Sequence, residues 1–142
     1  MKVLSVTSEC VPLVKTGGLA DVAGALPGAL KAEGIAVRTL IPGYRTVMEK
    51  IGKSKAVFEI ANCFGGPATV LSTKHAGLDL LVLEAPHLFD REHGIYLNGT
   101  GQDWPDNIER FAALSRVAAD IASGAIRDWR PDIVHCHDWQ AG

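Results

Sequence analysis

The octapeptide Lys15-Thr16-Gly17-Gly18-Leu19-Ala20-Asp21-Val22 constrains this chain more than any other feature. It follows a short β-branched and apolar run, Val3-Leu4-Ser5-Val6-Thr7, and opens a stretch with helical periodicity. A strand feeding a Lys- and Gly-bearing turn and then a helix is an α/β arrangement. The start of that helix offers unpaired N–H groups and a partial positive charge. Adjacent Gly17 and Gly18 let a ligand approach the backbone without a Cβ in the way. Lys15 adds a mobile point charge suited to phosphate. The turn therefore reads as a site for a phosphorylated or nucleotide-linked ligand. On pattern alone a second reading stands beside it, a strand-to-helix turn that binds nothing.

Two familiar phosphate loops do not fit. A Walker A loop needs a glycine well before its lysine, and only the Lys15-Thr16 pair matches. The dinucleotide fingerprint G-x-G-x-x-G fails because Gly17 and Gly18 are adjacent and the next glycine is Gly24.

The chain has 142 residues, enough for one domain with a real core. Hydrophobic residues make up 47% and charged residues 21%, the balance of a globular protein. The formal net charge is −2 and the basic residues do not cluster, which disfavours a nucleic-acid stripe. No apolar run reaches membrane-spanning length, and the N-terminus lacks the apolar core of a secretory signal. Cys10, Cys63 and Cys136 are an odd count without metal-ligand spacing, pointing to reduced, buried cysteines and a cytoplasmic location.

Periodicity predicts a buried strand over 2–8, then a helix over 18–33 with Leu19, Val22, Ala23, Leu26 and Leu30 on its apolar face. Pro27 inside that pattern predicts a kink or an early stop. Residues 36–41 form a second strand, closing a βαβ unit with parallel pairing as its default. Residues 56–61 and 68–74 flank a hairpin-type turn at Gly65-Gly66-Pro67, and 78–83 form a further strand. A long irregular segment over 84–106 is of the length that is functional or disordered, and its Tyr96 and Trp104 argue for order. A helix over 106–123 carries Ile108, Phe111, Ala112, Ser115, Ala118, Ala119 and Ala122 on one side. Ile133-Val134-His135-Cys136 is a short buried strand, and the next helix should begin at the chain's last residues. The fold class is thus α/β, a Rossmann-like parallel sheet with flanking helices.

Asp138 follows the last strand, at the edge where open α/β sheets place ligand chemistry. Asp21 heads the first helix on that edge, and the loop bearing Tyr96 reaches it too. Lys15, Asp21, Tyr96 and Asp138 can therefore line one rim. A carboxylate there suits sugar hydroxyls, and a tyrosine suits stacking plus one polar contact. His135 and His137, two apart on a strand, share a face and raise the question of a metal pair. A closed zinc site needs about four ligands, and His75, His87 and His93 are scattered. Hydrogen-bonded histidines at the strand end are the favoured reading, with no metal.

With these elements in place, the chain resembles the N-terminal portion of bacterial glycogen synthases and the related plant starch synthases. The carrying residues are Ser8-Glu9, Pro12 through Val22, Gly24-Ala25-Leu26-Pro27, Ala85 through Arg91, and Trp129 through Trp139. The resemblance runs the full length in order. It implies a GT-B fold, two Rossmann-like domains facing across a cleft, of which residues 1–142 are an incomplete N-terminal domain with the C-terminal domain absent. It implies transfer of glucose from ADP-glucose to the non-reducing end of an α-1,4-glucan such as glycogen, with retention and without metal or cofactor. Lys15 and Thr16 would lie near the donor phosphates or the glucan terminus, and Gly17 and Gly18 would offer N–H groups to the donor. Asp21 and Tyr96 would contact the nucleotide-sugar, and Asp138 the transferred glucose or the acceptor. Gln140 stands where some relatives carry histidine, so no imidazole role transfers there. The 142 residues alone are expected to be inactive and to expose apolar surface. The alternatives are a stand-alone nucleotide-sugar or glucan binding module, and a different GT-B enzyme related to sucrose synthase.

Overall fold

The computed structural model describes all 142 residues. Its elements in chain order are β1 (Lys2–Val6), α1 (Gly18–Ala32), β2 (Ala36–Pro42), α2 (Arg45–Lys50), β3 (Lys55–Ile60), β4 (Ala68–His75), β5 (Leu78–Glu84), α3 (Pro86–Phe89), α4 (Asn107–Ala122) and β6 (Ile133–Cys136). A 3-10 turn over Trp139–Ala141 ends the chain, where sequence reading expects a helix to begin. The six strands form one sheet in the order β3-β4-β5-β2-β1-β6.

Strands β5, β2, β1 and β6 are parallel, as expected, and β3 and β4 add antiparallel to the β5 edge. The sheet is therefore mixed. The hairpin at Gly65-Gly66-Pro67 gives β4 its reversed direction, because a connection that short cannot return a strand parallel. Among the parallel strands β1, β2 and β5 are the buried ones: Leu4, Val6, Leu40, Ile41 and Leu80 through Leu83 are fully buried or nearly so. Helix α1 packs over β2 and β5, and α4 over β1, β2 and β6.

Pro27 neither stops nor shortens α1, which runs on to Ala32. It is buried on the packed face together with Ala20 and Ala23. That face is made of small residues, and the wider apolar stripe read from the sequence is rotated away from it. Val22 is 55% exposed. Close approach explains the shift: a Cβ on Gly24 would lie 2.4 Å from Val11 Cγ2, so only glycine fits there.

Helix α4 is rotated from its expected face too. It buries Arg110, Phe111, Ala113, Leu114, Val117, Ala118 and Ile121, whereas Ile108 is 79% exposed. The large apolar groups at 111, 114, 117 and 121 outweigh the alanines in setting the buried stripe. Strand β6 also departs from expectation. It is exposed along its length, because it is the sheet's edge with one neighbour, β1. Cys136 on it is exposed, while Cys10 and Cys63 are buried, and all three are free thiols.

The long 84–106 segment is ordered. Arg91 holds Asp106 in a two-pronged ion pair and lies over the Trp104 ring. The Asn98 side-chain oxygen accepts from the N–H of Thr100 and Gln102. Asn107 Nδ2 and Trp104 N both donate to the Tyr96 carbonyl. These bonds fix where Tyr96 stands.

Candidate functional site at the C-terminal edge of the sheet

The order in which parallel strands are added across the sheet reverses at β1. The crossover through α1 carries the chain to β2 on one side, while β6 lies on the other. Ligands of open α/β sheets bind in the crevice at such a point, beyond the carboxyl ends of the strands. The glycine turn leaves β1 there, and His137 and Asp138 leave β6.

Glu9 organises the turn from within. It is buried, and its carboxylate accepts the Thr16 N–H at 2.5 Å, the Thr16 hydroxyl at 2.9 Å and the Gly17 N–H at 3.3 Å. The Tyr96 hydroxyl reaches the same carboxylate at 3.2 Å and Ser8 Oγ at 2.6 Å. The N–H and hydroxyl of the exposed Thr16 are thus anchored on Glu9, which positions the turn. From outside, Lys50 Nζ on α2 donates to the carbonyls of Pro12 and Leu13 at 3.0 and 2.7 Å.

Gly18 begins α1, and no side chain caps the helix from Gly17. The first N–H groups of a helix have no intrahelical acceptor, so the start of α1 stands bare. A Cβ on Gly17 or on Gly18 would meet nothing within 4 Å, and neither residue has positive φ. Neither packing nor backbone conformation calls for glycine at these two positions, in contrast to Gly24. What the two glycines provide is access to the helix end from outside.

Lys15 Nζ pairs with Asp21 Oδ2 at 2.7 Å, and both side chains are about half exposed. Such a surface pair is worth little, which leaves Lys15 free to exchange partners. Tyr96 is half-buried against Phe111, with ring centroids 5.8 Å apart. Burial pushes its phenol up to about 12; the Ser8 bond opposes this, and the charges of Glu9 and Asp138 add to it. Its hydroxyl turns inward onto Ser8 and Glu9, so its polar contact is already made within the chain.

Asp138 adopts φ 63° and ψ −178°, a conformation that is essentially glycine's alone. Its carboxylate accepts the Trp139 N–H at 2.8 Å. Strain of this kind persists where surrounding structure imposes it and concentrates at functional sites. Next to it His137 is buried, its Nε2 is 3.0 Å from Ser5 Oγ, and its ring stacks on His135 with centroids 4.1 Å apart. Burial, and then the neighbouring His135, lower the pKa of His137. The two imidazoles thus engage each other and Ser5.

Of the four residues expected to line one rim, Lys15 and Asp21 are in contact, Tyr96 is tied to Thr16 and Gly17 through Glu9, and the Asp138 carboxylate bonds its neighbour Trp139. The sequence marks Glu9 only as part of a motif, yet it joins Thr16, Gly17 and Tyr96. The available clue was an acidic residue directly after a buried strand.

A family model for the starch synthase catalytic domain matches residues 2–142. The chain belongs to this family. It is similar to the glycogen synthase of Jannaschia sp. (strain CCS1), 62% identical over 141 residues, 99% of this chain and 29% of that protein. It is also similar to the glycogen synthase of Paracoccus denitrificans (strain Pd 1222), 57% identical over 99% of this chain and 30% of that protein. Among solved structures it resembles the catalytic domain of starch synthase IV from Arabidopsis thaliana bound to ADP and acarbose. There the TM-score is 0.76 at 28% identity, over 98% of this chain and 28% of the other. The chain thus spans 29% of the length of the first of these starch synthase family relatives. No helix is long and apolar enough to cross a membrane.

Proposed function

We propose that the chain belongs to a glycogen synthase that transfers glucose from ADP-glucose to the non-reducing end of an α-1,4-glucan, with retention. Residues 1–142 supply the N-terminal face of a two-domain GT-B enzyme, working in the cytoplasm, where free thiols such as Cys10, Cys63 and Cys136 persist. The observation that carries this reading is the bare start of α1, opened by two glycines that nothing inside the chain requires. The family's glycogen synthases and the ADP- and acarbose-bound neighbour support the choice of ligands.

On this reading the diphosphate lies against the α1 N-terminus with Lys15 beside it. Negative charge grows on the diphosphate as the bond to glucose breaks. Fixed N–H dipoles and a nearby ammonium stabilise that charge without having to reorganise. Asp21 and Tyr96 border the nucleotide-sugar, with Tyr96 acting partly through Glu9. Asp138 accepts hydrogen bonds from hydroxyls of the transferred glucose or of the acceptor.

The test is incorporation of radiolabelled glucose from ADP-glucose into glycogen by the native gene product. Incorporation at chain ends is expected. Binding of ADP-glucose or glucan without transfer would overturn the reading in favour of a binding module. Preference for another nucleotide-sugar and acceptor would point to a different GT-B enzyme.

A further inference from the structure

One arginine in the core bonds to no carboxylate. Arg110 is 1% exposed and lies between Phe89 and Phe111, 5.4 Å from each ring centroid. Its Nε donates to the Leu88 carbonyl at 2.7 Å, and its Nη1 to the Ile95 carbonyl at 2.8 Å and Asn107 Oδ1 at 2.7 Å. All three acceptors are neutral. Nη2 donates to nothing in the chain and is not sealed from outside. Arg110 lines a cleft of about 180 Å³ between the glycine turn, the start of α2 and the segment over 89–95.

A guanidinium cannot escape burial by giving up its proton. Burying it without an anion is unfavourable, and an arriving anion removes that cost. The other cations around the cleft already have carboxylates: Arg45 has Asp90 at 2.7 Å and Glu92 at 3.5 Å, Arg91 has Asp106, and Lys15 has Asp21. These three cations already face four carboxylates, so among the arginines and lysines lining the cleft Arg110 alone has no bonded carboxylate. With a water's share of liquid volume near ~30 Å³, the space is ample for a tetrahedral oxyanion. A guanidinium edge suits such an anion through directed N–H groups.

We propose that this cleft binds a phosphate-class oxyanion, free or as a phosphomonoester, anchored on Arg110 Nη2 with Arg45 and His93 at its mouth. The cleft lies behind the glycine turn: Lys15 and Thr16 line it, whereas Gly17 and Gly18 do not. An anion seated there is a second ligand, distinct from one at the α1 N-terminus, and it touches the same lysine.

The experiment is calorimetric titration of the native protein with inorganic phosphate at constant ionic strength, with and without saturating ADP-glucose. A parallel titration uses a hexose monophosphate. Saturable binding of one equivalent that survives ADP-glucose is expected. Arg110→Lys, which keeps the charge but loses the fork, should weaken it at least tenfold. Arg45→Gln, at a half-exposed position, should weaken it severalfold and keeps the test decisive if Arg110→Lys fails to fold. Tighter binding of phosphate or of the monophosphate identifies which source the cleft serves. No saturable binding of either, full displacement by ADP-glucose, or unchanged affinity in the variants that fold would overturn the proposal.

Discussion

The Glu9 carboxylate accepts both the backbone N–H and the hydroxyl of Thr16, at 2.5 and 2.9 Å, from a position almost entirely out of water. This pair sets the shape of the glycine turn before any ligand arrives. Glu9→Ala would strand the Thr16 and Gly17 N–H groups and leave the Tyr96 hydroxyl with Ser8 alone. At about 1–3 kcal/mol for a buried polar group left unpaired, the loss should be at least that of one such group. Glu9→Gln retains one acceptor oxygen and should cost about 1 kcal/mol. Urea unfolding of both variants measures the difference, and an unchanged midpoint for Glu9→Ala would contradict this role.

The Tyr96 phenol bridges Ser8 and Glu9, and its pKa of about 12 lies above the ordinary tyrosine value near ~10. The unfolded chain therefore releases this proton first as pH rises. Stability from this group is complete below the unfolded value and is lost as pH climbs through the folded one. Tyr96→Phe should flatten the alkaline decline and cost about 1 kcal/mol at neutral pH. The buried Tyr44 phenol, raised chiefly by desolvation, leaves a residual decline in that variant. Unfolding midpoints across the alkaline range provide the check.

His137 titrates in the opposite sense. Its folded pKa is depressed by burial and by His135, so its contribution is present above the unfolded value near ~6.5 and is lost as pH falls. Acidification below neutrality should weaken the fold, because the unfolded state takes up the proton more readily. His137→Gln should reduce that slope while Ser5 keeps a hydrogen-bond partner. An identical acid slope in the variant would contradict the assignment.

Asp138 holds a positive φ that glycine would adopt without strain. Asp138→Gly should raise stability by about 1 kcal/mol, the lower end of the strain at such positions, and should abolish transfer. Thermal unfolding and a transfer assay on one preparation separate the two effects.

Ile133, Val134 and Trp139 are 46%, 38% and 60% exposed along and beside an unpaired strand edge. A solution of the 142 residues should therefore self-associate, and Val134→Lys should suppress it. Sedimentation velocity over a concentration series reads both outcomes.

Much of the fold was legible because its cues are local. The β1 turn, the βαβ unit and the hairpin at Gly65-Gly66-Pro67 each carry their own turn chemistry. Helix faces were less legible, since packing distance decides them: α1 buries Ala20, Ala23 and Pro27 because the chain at Val11 lies close. Exposure of β6 was invisible because four apolar-leaning residues look alike at the centre and the edge of a sheet. Within the candidate site, Lys15, Gly17 and Gly18 were legible from the strand-to-turn pattern, and Asp21 and Asp138 from their places at the sheet edge. Glu9 and Arg110 were not, because their importance lies in long-range partners: Tyr96 for one, and the carbonyls of Leu88 and Ile95 for the other.

The central claim is that Gly17 and Gly18 are glycine for the sake of a ligand. Calorimetric titration with ADP-glucose of the native protein, Gly17→Ala and Gly18→Ala, each alongside its unfolding curve, tests it most directly. The account predicts stability unchanged or raised by up to about 1 kcal/mol in both variants, since the added methyl meets open space, with affinity lowered at least tenfold. Native affinity in both stable variants would contradict it.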